Sequence, residues 1–331
     1  MLLFNTIMIF IIGFLIYIAY PLREGMRFSK GYIADSYERN KITHDPEKYT
    51  ISKNGVVLNY NKNFNSKIEP DIANNKEYMV LKLKNNSVPV ANNYIWRDDL
   101  SFQENIISAE KIGYPLVVKP VFGEKGYNIT VGIKDISELT SAINKINGRV
   151  LIENQLEGDE YRILVYNNKV IAITKRIRPS VIGNGIDTVK NLINNFNANK
   201  QNDFKCHNIN NKLIKQQGYS LNDVPDNNKK IFISNVANMS NGGEIEDVDI
   251  KNVHPDNINM FKKARQLSGL TLTGIDFITP SLSIPYYLMH GKCGILELNP
   301  LPGMEVHYNT KNDKDQFIDS FVNDLFEYRL T

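Results

Sequence analysis

Residues 294–303, GILELNPLPG, constrain the fold of this 331-residue chain more than any other stretch. Side chains of a β-strand alternate between its two faces, so Glu297 and Asn299 are expected on one face, about 7 Å apart along the strand. Leu296 and Leu298 then point into a core on the other face. Two prolines and a glycine follow, which predicts that the strand ends in a tight turn. The pattern therefore predicts a core strand that presents a carboxylate and an amide side by side.

A second short apolar segment contains one acid. Residues 274–278, GIDFI, are typical of a buried strand that presents Asp276. Carboxylate and amide oxygens are hard ligands that hold Mg²⁺ while leaving positions for water and phosphate oxygens. If the two strands are neighbours, Asp276, Glu297 and Asn299 form a cradle for a pair of divalent ions. The alternative is that they are ordinary polar residues at strand ends.

The composition narrows the classes of partner. The chain is 42% hydrophobic and 23% charged, which is ordinary for a globular protein of one or a few domains. Its net charge is +3, and its Lys and Arg residues are dispersed rather than clustered. An anionic small molecule is therefore an expected partner, and nucleic acid is not. Cys206 and Cys293 lie far apart in the sequence and have no CxxC motif. Neither a disulfide framework nor a zinc site is predicted, which fits a reducing compartment.

The first residues predict a membrane anchor. Residues 2–20 are uncharged and mostly apolar, close to the ~20 residues that span a bilayer as a helix. Arg23, Arg27 and Lys30 follow, and the positive-inside rule then places the rest of the chain in the cytoplasm. We expect a single-pass membrane protein with its transmembrane helix over 1–22. A cleaved signal peptide is disfavoured because a basic start and a small-residue cleavage site are missing, and a buried core helix is the other alternative.

The middle of the chain predicts short elements that lead into a larger domain. Residues 23–75 are interpreted as a small leading segment, with a helix over 31–38 and a hairpin around Asn54-Gly55. Residues 191–230 are rich in Asn and Lys, and are interpreted either as a lid over a cleft or as a solvated excursion. Apolar spacing also predicts helices that end near residue 86 and that cover 102–112, 136–146 and 315–328.

A lysine at the end of a buried strand indicates phosphate binding. Residues 116–120, LVVKP, are apolar except for Lys119, and the loop VFGEKGYN follows at once. Glycines let backbone N–H groups approach phosphate oxygens, and an ammonium adds a point charge. The loop matches neither the P-loop nor the dinucleotide-binding fingerprint, so a plain hairpin with an edge lysine is the alternative.

Apolar strands also flank a strongly charged stretch. Residues 150–153 and 163–166 are predicted strands, and 170–174 is predicted to form a hairpin with the second of them. Between the first two lies ENQLEGDEYR, with four acids and an arginine around one glycine. These charges are interpreted either as a solvated rim or as side chains aimed at a shared cleft.

Seven blocks occur in an order that resembles a known family. They are VVKP with its glycine loop, LIENQLEGDEYR, KRIRPSVIGNGIDTVKNLI, KLIKQQGYSLNDVP, VANMSNGGEIEDV, TGIDFI and ILELNPLPG. This order is similar to the ATP-grasp domain of cyanophycin synthetases and, more loosely, to glutathione synthetases and D-alanine:D-alanine ligases. The resemblance implies an α+β ATP-grasp fold over 76–331, in which two subdomains with antiparallel sheets grip ATP, the lid subdomain covering residues 113–180 or so.

The resemblance also implies nucleotide-binding residues. Lys119 is expected on the α and β phosphates of ATP. The loop after it is expected to form a flexible cover that includes Gly123, Lys125 and Gly126. The implied hinge that contacts the adenine includes Glu153, Asn154 and Leu156. The residue implied to hold the ribose is Glu160.

The implied chemistry is that of an acid–amino-acid ligase. Asp276, Glu297 and Asn299 are implied to hold two Mg²⁺ ions, for which Mn²⁺ can substitute. Arg176 is implied to face the transferring phosphoryl group, or else is a surface arginine, while Arg162 is either catalytic or a structural ion pair. The carboxylate of an amino acid or peptide attacks the γ-phosphate, and an amine then displaces phosphate to form an amide.

Two departures from the family pattern allow another function. Ser234-Asn235 stand before the ANMSNGG block, where the pattern carries arginine, so a contact to carboxylate or phosphate is lost or supplied from elsewhere. The chain also ends at Thr331 without a second ligase-like domain, so cyanophycin is not the expected product. The alternative is a catalytically impaired nucleotide-binding module that acts as a membrane-tethered binding protein. Homodimers are common in similar enzymes, and the scattered histidines, His254 and His307 included, are expected to be structural.

Overall fold

The computed structural model describes residues 32–45, 48, 50–59, 73–122, 128–200, 204–300 and 302–327. The predicted anchor over 1–22 lies outside these ranges, as do Gly123, Lys125 and Gly126 of the predicted phosphate cover. No helix within the described ranges is long and apolar enough to cross a membrane.

The leading segment contains a helix and a small antiparallel sheet. Their bounds are α1 (Tyr32–Arg39), β1 (Thr43–Asp45), β2 (Thr50–Lys53) and β3 (Val56–Asn59), with the strands in the order β1-β2-β3. The turn between β2 and β3 is Asn54-Gly55, and both residues have positive φ angles of 50° and 81°. A two-residue hairpin turn of this kind favours Asn-Gly, which is why the sequence predicted it correctly.

A four-stranded antiparallel sheet, here called the small sheet, comes next. Its strand order is β4-β7-β5-β6. Ser101 starts the helix before β5 with a capping box, because its hydroxyl accepts from the backbone N–H of Glu104 and the Glu104 carboxylate accepts from that of Ser101. The elements of this part are α2 (Lys76–Asn85), β4 (Asn93–Ile95), α3 (Phe102–Glu110), β5 (Leu116–Pro120), β6 (Thr130–Ile133), α4 (Ile136–Ile143) and β7 (Val150–Asn154).

A five-stranded antiparallel sheet, here called the large sheet, follows. Its strands are β8 (Asp159–Tyr166), β9 (Lys169–Ile177), β12 (Glu244–Asp247), β13 (Leu272–Thr279) and β14 (Gly294–Asn299), in the order β12-β9-β8-β13-β14. One face packs against α7 (Pro255–Ser268), where the ring of Phe261 meets Phe277 edge-on with centroids 5.2 Å apart. The two predicted core strands, β13 and β14, are therefore confirmed as neighbours.

The other face of the large sheet is covered in part by both ends of the described chain. Leu164, Tyr166 and Leu272 pack into one core with α1, with α8 (Glu305–Tyr308) and with α9 (Lys314–Glu327). Polar contacts fasten α1 to α9, since Ser36 Oγ donates to Asp319 Oδ1 at 2.5 Å and Arg39 Nε donates to Asp319 Oδ2 at 2.9 Å. The leading segment thus shares one apolar core with the large sheet and α9.

The Asn-rich residues 191–230 belong to a slightly longer unit, here called the Asn-rich unit, which has an apolar core of its own and is therefore more than a solvated excursion. It contains β10 (Ser180–Ile182), α5 (Val189–Ala198), α6 (Asn211–Gln216) and β11 (Lys230–Phe232), with β10 and β11 paired antiparallel. Its apolar side chains form a separate core that includes Val181, Ile193, Ile214 and Ile231. Short helical turns at Met239–Asn241, Ile250–Asn252 and Tyr286–Leu288 complete the described elements.

The strands around the charged stretch are longer than the sequence predicted. β8 begins at Asp159 rather than near 163, and β9 continues to Ile177 rather than 174. Because β8 pairs with β13 and β9 pairs with β8, the predicted lid range of about 113–180 runs across both sheets. The predicted α+β fold with two antiparallel sheets is nevertheless confirmed.

Candidate active site

Polar side chains stand in line across one face of the large sheet. Antiparallel pairing places Thr174, Arg162, Asp276 and Glu297 opposite one another on β9, β8, β13 and β14. Residues directly opposite on antiparallel strands present their side chains on the same face. Strand register therefore brings together an arginine and two acids that come from three distant parts of the sequence.

Asp276 is the centre of this row and is only 4% exposed. Arg162 Nε lies 3.1 Å from Oδ1, and Arg176 Nη1 and Asn299 Nδ2 each lie 3.4 Å from Oδ2. Burial by itself would raise the pKa of Asp276, but the two arginines outweigh burial and hold that pKa below the ordinary aspartate value. Asp276 is consequently an anion at neutral pH.

The two arginines differ in their partners. Arg176 stands opposite Glu160 on the neighbouring strand, and its Nη1 donates to Glu160 Oε1 at 2.6 Å. Burial opposes the charge of Arg176, yet Asp276 and Glu160 together raise its pKa above the ordinary arginine value. Burial lowers the pKa of Arg162, which has Asp276 as its carboxylate partner. Both arginines lie inside the cluster rather than on the outer surface.

Glu297 adds a second carboxylate beside Asp276. Partial burial and then the charge of Asp276 raise the pKa of Glu297 above the ordinary glutamate value. Lys76 Nζ lies 4.0 Å from Glu297 Oε2, a contact that the sequence did not reveal. A lysine at the first residue of a helix opposes the positive end of the helix dipole, which makes Lys76 unusual for its position but does not identify Glu297 as its partner.

The chemistry of this donor set suits a divalent cation. Asp276, Glu297 and Asn299 supply carboxylate and amide oxygens, which are the donors that Mg²⁺ prefers. Asp276 and Glu297 stand directly opposite each other on β13 and β14, so both carboxylates could contact one cation between them. Across the described ranges there is no group of three or more His, Cys, Asp or Glu side chains arranged for a metal. The predicted set has two carboxylates, and the amide oxygen of Asn299 is its third donor.

Lys119 on the small sheet is paired and buried. Its Nζ lies 2.6 Å from Oε2 of Glu153 on the adjacent strand β7, and the two residues are 5% and 4% exposed. The lysine thus lies at the end of its strand as predicted, next to the last residue Pro120, but no sequence pattern indicated that Glu153 would neutralise it. An ammonium fixed in this way is available to a ligand whose negative charge approaches the same edge of the sheet.

Comparison with known proteins agrees with this geometry. A family model described as the RimK-like ATP-grasp domain matches residues 73–184, which include the small sheet and the strands β8 and β9 of the large sheet. This part of the chain is therefore similar to an ATP-grasp domain. A cyanophycin synthetase of Trichormus variabilis is 30% identical over 207 residues, which are 59% of this chain and 23% of that protein. The bifunctional glutathione biosynthesis protein GshAB of Clostridium perfringens is 25% identical over 321 residues, or 91% of this chain and 40% of that protein.

A solved structure supports the ATP-grasp fold over most of the chain. The crystal structure of a bifunctional glutathione synthetase from Pasteurella multocida has a TM-score of 0.61 and 19% sequence identity, and the match covers 91% of this chain and 45% of that one. The chain spans less than half the length of each of these three relatives.

The predicted hinge connects the small sheet to the large one through hydrogen bonds to backbone atoms. Asn154 Oδ1 accepts from the N–H of Asn92 at 2.7 Å, and Asn154 Nδ2 donates to the carbonyl of Gly291 at 3.2 Å. The N–H of Glu157 donates to the carbonyl of Lys292 at 2.9 Å. Leu156 is buried between these contacts. The hinge residues therefore hold the small sheet against the loop that precedes β14.

Ser234, at the position where the family pattern carries arginine, forms hydrogen bonds within its own loop. The Ser234 hydroxyl is buried and accepts from the N–H of Val236 at 3.2 Å and from Asn241 Nδ2 at 3.0 Å. The side chain thus stabilises its own loop and contacts none of the charged row. His254 and His307 also have structural contacts, to the N–H of Asp256 at 3.2 Å and to Thr174 Oγ1 at 2.8 Å.

Proposed function

We propose that this chain is an ATP-dependent carboxylate–amine ligase that joins an amino acid or a peptide to an amine, releasing ADP and phosphate. The similarity of residues 73–184 to an ATP-grasp domain supports the proposal, and one observation carries it. Asp276, Glu297 and Asn299 meet on one sheet face beside two buried arginines. Buried charges cost stability unless they are well paired, so a face that served folding alone would be apolar.

Asp276, Glu297 and Asn299 would hold two Mg²⁺ ions, with Mn²⁺ as a substitute because it accepts the same oxygen donors. When bound, such ions offset the negative charge that spreads over the phosphoryl oxygens in the transition state. Arg162 keeps Asp276 ionised and oriented for this task. Arg176, which Asp276 and Glu160 hold in the protonated state, would face the transferring group.

The small sheet would bind the nucleotide. Lys119 would contact the α and β phosphates, since it is the buried cation that ends β5 at the edge next to the glycine loop. Gly123, Lys125 and Gly126 would cover those phosphates. The adenine would be held by the hinge residues Glu153, Asn154 and Leu156. The ribose would be held by Glu160.

The reaction would proceed in two balanced steps. A carboxylate oxygen of the acid substrate attacks the γ-phosphorus of ATP, the bond from that phosphorus to the β–γ bridging oxygen breaks, and ADP leaves. The nitrogen of the amine then attacks the carbonyl carbon of the acyl phosphate, phosphate leaves and the nitrogen loses a proton. The protein supplies charge and position, so no protein nucleophile is required.

A nucleotide-binding module without turnover is the second candidate. Ser234 favours it, because that side chain stabilises its own loop and leaves the place of the family's arginine without a cation. The paired Lys119 and the row through Asp276 favour the ligase, since binding alone does not require two facing carboxylates.

We further propose that residues 1–22 anchor the protein in a membrane and leave the segment 23–75 and the ATP-grasp domain 76–331 on the cytoplasmic side. The support is the apolar run followed by Arg23, Arg27 and Lys30. The full chain should float with lipid vesicles in a density gradient, and a chain without residues 1–22 should not.

The ligase proposal is tested by ADP release from the full chain in detergent, with Mg·ATP and pooled amino acids and dipeptides. Glu297→Gln should lower the stimulated rate by a factor of at least about 100. Mutating a residue that only hydrogen-bonds to a metal ligand already lowers metal affinity or activity about 10–100-fold, and Glu297 is proposed to be a ligand itself. Glu157→Gln is the matched control, because Glu157 is an exposed acid that pairs with Lys292 away from the row. ATP binding with no stimulation by any pool would favour the binding module instead.

A further inference from the structure

The cations of the site are already neutralised by the protein. Arg162 and Arg176 have Asp276 and Glu160 as partners, with shortest N–O distances of 3.1 and 2.6 Å. Lys119 has a carboxylate at 2.6 Å and Lys76 has one at 4.0 Å. These four cations and the divalent ions would serve the nucleotide, so a second carboxylate of the substrate would need a cation outside this set.

Two exposed cations close to the site have no acid beside them. Arg178 and Lys230 lie over the ring of Phe232, with Arg178 Cζ 4.3 Å and Lys230 Nζ 5.2 Å from its centroid. In the part of the chain that the structure describes, neither side chain has a carboxylate within ion-pair distance. Stacking on an aromatic ring fixes the plane of a guanidinium while leaving its N–H edge for an oxyanion.

The backbone places Arg178 just beyond the end of the charged row. Arg178 follows Arg176 by two residues, and the chain between them stays extended, because Ile177 pairs with Glu244 and the carbonyl of Pro179 accepts from the N–H of Ile233 at 3.0 Å. Alternate residues of an extended chain share a side, so Arg178 begins about 7 Å beyond Arg176 in the same direction.

The β10–β11 hairpin has one buried and one open face. Val181 and Ile231 point into the core of the Asn-rich unit. Phe232 and Lys230 belong to the opposite, open face, which Arg178 extends toward the large sheet. The two cations near the Phe232 ring therefore lie outside the apolar core of the Asn-rich unit.

We propose that Arg178 and Lys230 bind an oxyanion of the substrate, namely a carboxylate that is not the one being activated. Arg178 would bind it through two parallel N–H···O bonds, with Lys230 at the same aromatic ring as a second positive charge. The proposal rests on the proposed function only in taking the ligand to be a reactant of the ligase. It makes Arg178 a specificity-determining residue.

The test uses chemical labelling of arginines in the full chain, which does not depend on turnover. Phenylglyoxal modification at Arg178 is followed by mass spectrometry, alone and with three additions: Mg·AMPPNP, that nucleotide with pooled tripeptides that have free C-termini, and that nucleotide with the same tripeptides as C-terminal amides. Arg97, an exposed arginine that is ion-paired with Asp99, is the internal control.

The free-carboxylate pool should slow labelling of Arg178 about tenfold, because a charge-assisted bond of this kind is worth at least that factor. The amide pool should have no effect, and Arg97 should be unaffected throughout. Equal protection by the amide pool, or no protection by either pool, overturns the proposal. Protection by Mg·AMPPNP alone also overturns it, since the oxyanion would then be a phosphate.

Variants separate this inference from the ligase proposal. If the chain releases ADP, Arg178→Gln should raise the KM for the acid about tenfold with little change in kcat, Arg178→Lys should recover part of the loss, and Arg97→Gln should match the wild type. If the chain releases no ADP, the labelling result stands alone, and carboxylate protection still supports a binding site. An unchanged KM in an active Arg178→Gln protein contradicts the assignment.

Discussion

One face of the large sheet is divided into two halves that the same strands build in opposite ways. At one end, Leu164, Tyr166 and Leu272 are fully buried under α1 and α9. At the other end, β8 and β13 present Arg162 and Asp276. Both halves follow the same two-residue alternation, so secondary structure does not distinguish them. The difference lies in what covers each half.

The division separates stability from chemistry. The apolar half gains free energy from the area that α9 and the leading segment remove from water. The charged half has to hold its acids and arginines together at a cost in desolvation, which is worthwhile only where the charges perform a task. Variants in the two halves should therefore change the free energy of unfolding by different amounts, in one case with opposite sign. Only variants in the charged half should also lower ADP release.

The largest effect on stability is expected in the apolar half. Phe321→Ala removes a ring that is 1% exposed in the core between α9 and the large sheet. The loss of transfer free energy plus the cavity should cost about 3–5 kcal/mol in the free energy of unfolding, measured with urea at neutral pH. The matched control is Phe102→Ala, because Phe102 is 48% exposed. Equal midpoints for the two variants would show that this half is not the main source of stability.

A somewhat smaller loss is expected at the centre of the charged half. Asp276→Asn leaves Arg162 without its carboxylate partner, while Arg176 keeps Glu160. Removing one member of a buried ion pair should cost about 3 kcal/mol, and ADP release should fall at the same time. Asp159→Asn is the control, since Asp159 pairs with Lys175 in a more exposed position. If Asp276→Asn unfolded at the same urea concentration as its control, the row would not be held by this pair.

A smaller effect is expected at the border between the halves. Thr174→Val keeps the shape of a fully buried side chain but removes its hydrogen bond to His307 Nδ1, which leaves that ring without a polar partner among the described residues. Leaving a buried polar atom unsatisfied should cost about 1–3 kcal/mol. Thr174→Ser keeps the hydroxyl and should lose less. The reverse ranking of the two variants in urea would show that the methyl group, and not the bond, is what stabilises the border.

The sequence predicted the strands of both halves better than it predicted the row across them. Apolar runs and turn residues located β5, β13 and β14, because those patterns are local. The lateral register that sets Arg162 beside Asp276 depends on pairing between strands that are far apart in the chain, and no local pattern encodes it. The same reason applies to Lys76, which reaches Glu297 from the start of a distant helix.

Other contacts were hidden for a different reason. Lys119 was predicted as a phosphate ligand and Glu153 as part of the adenine hinge, and nothing in their local sequence indicated that they form one buried pair. A single sequence gives the chemistry of each side chain but not its neighbour. Ser234 shows the same limit, because its hydroxyl looked like a lost contact and is instead a bond within its own loop.

The smallest effect on stability, and the only one of opposite sign, is expected at Glu297. Its pKa is raised in the folded protein by partial burial and by the charge of Asp276, so the folded state binds this proton more tightly than the unfolded state does. Stability from this group is therefore complete below the ordinary glutamate pKa and is lost as the pH rises through the raised pKa. Glu297→Gln, which keeps a neutral side chain at every pH, should be slightly more stable than the wild type at pH 8 and equal to it near pH 4.

The same variant should be inactive in ADP release, which makes it the sharpest test of the division between the halves. Urea unfolding of wild type and Glu297→Gln is compared at both pH values without nucleotide or divalent ions, with Glu157→Gln as a more exposed control that should show no such pH-dependent gap. Lys76 opposes the effect, because it loses a charged neighbour, and for that reason the gain should stay small. A variant that is less stable than the wild type at pH 8 would mean that Lys76 and the arginines already stabilise Glu297 as an anion. The charged half would then contribute to folding in the same sense as the apolar half.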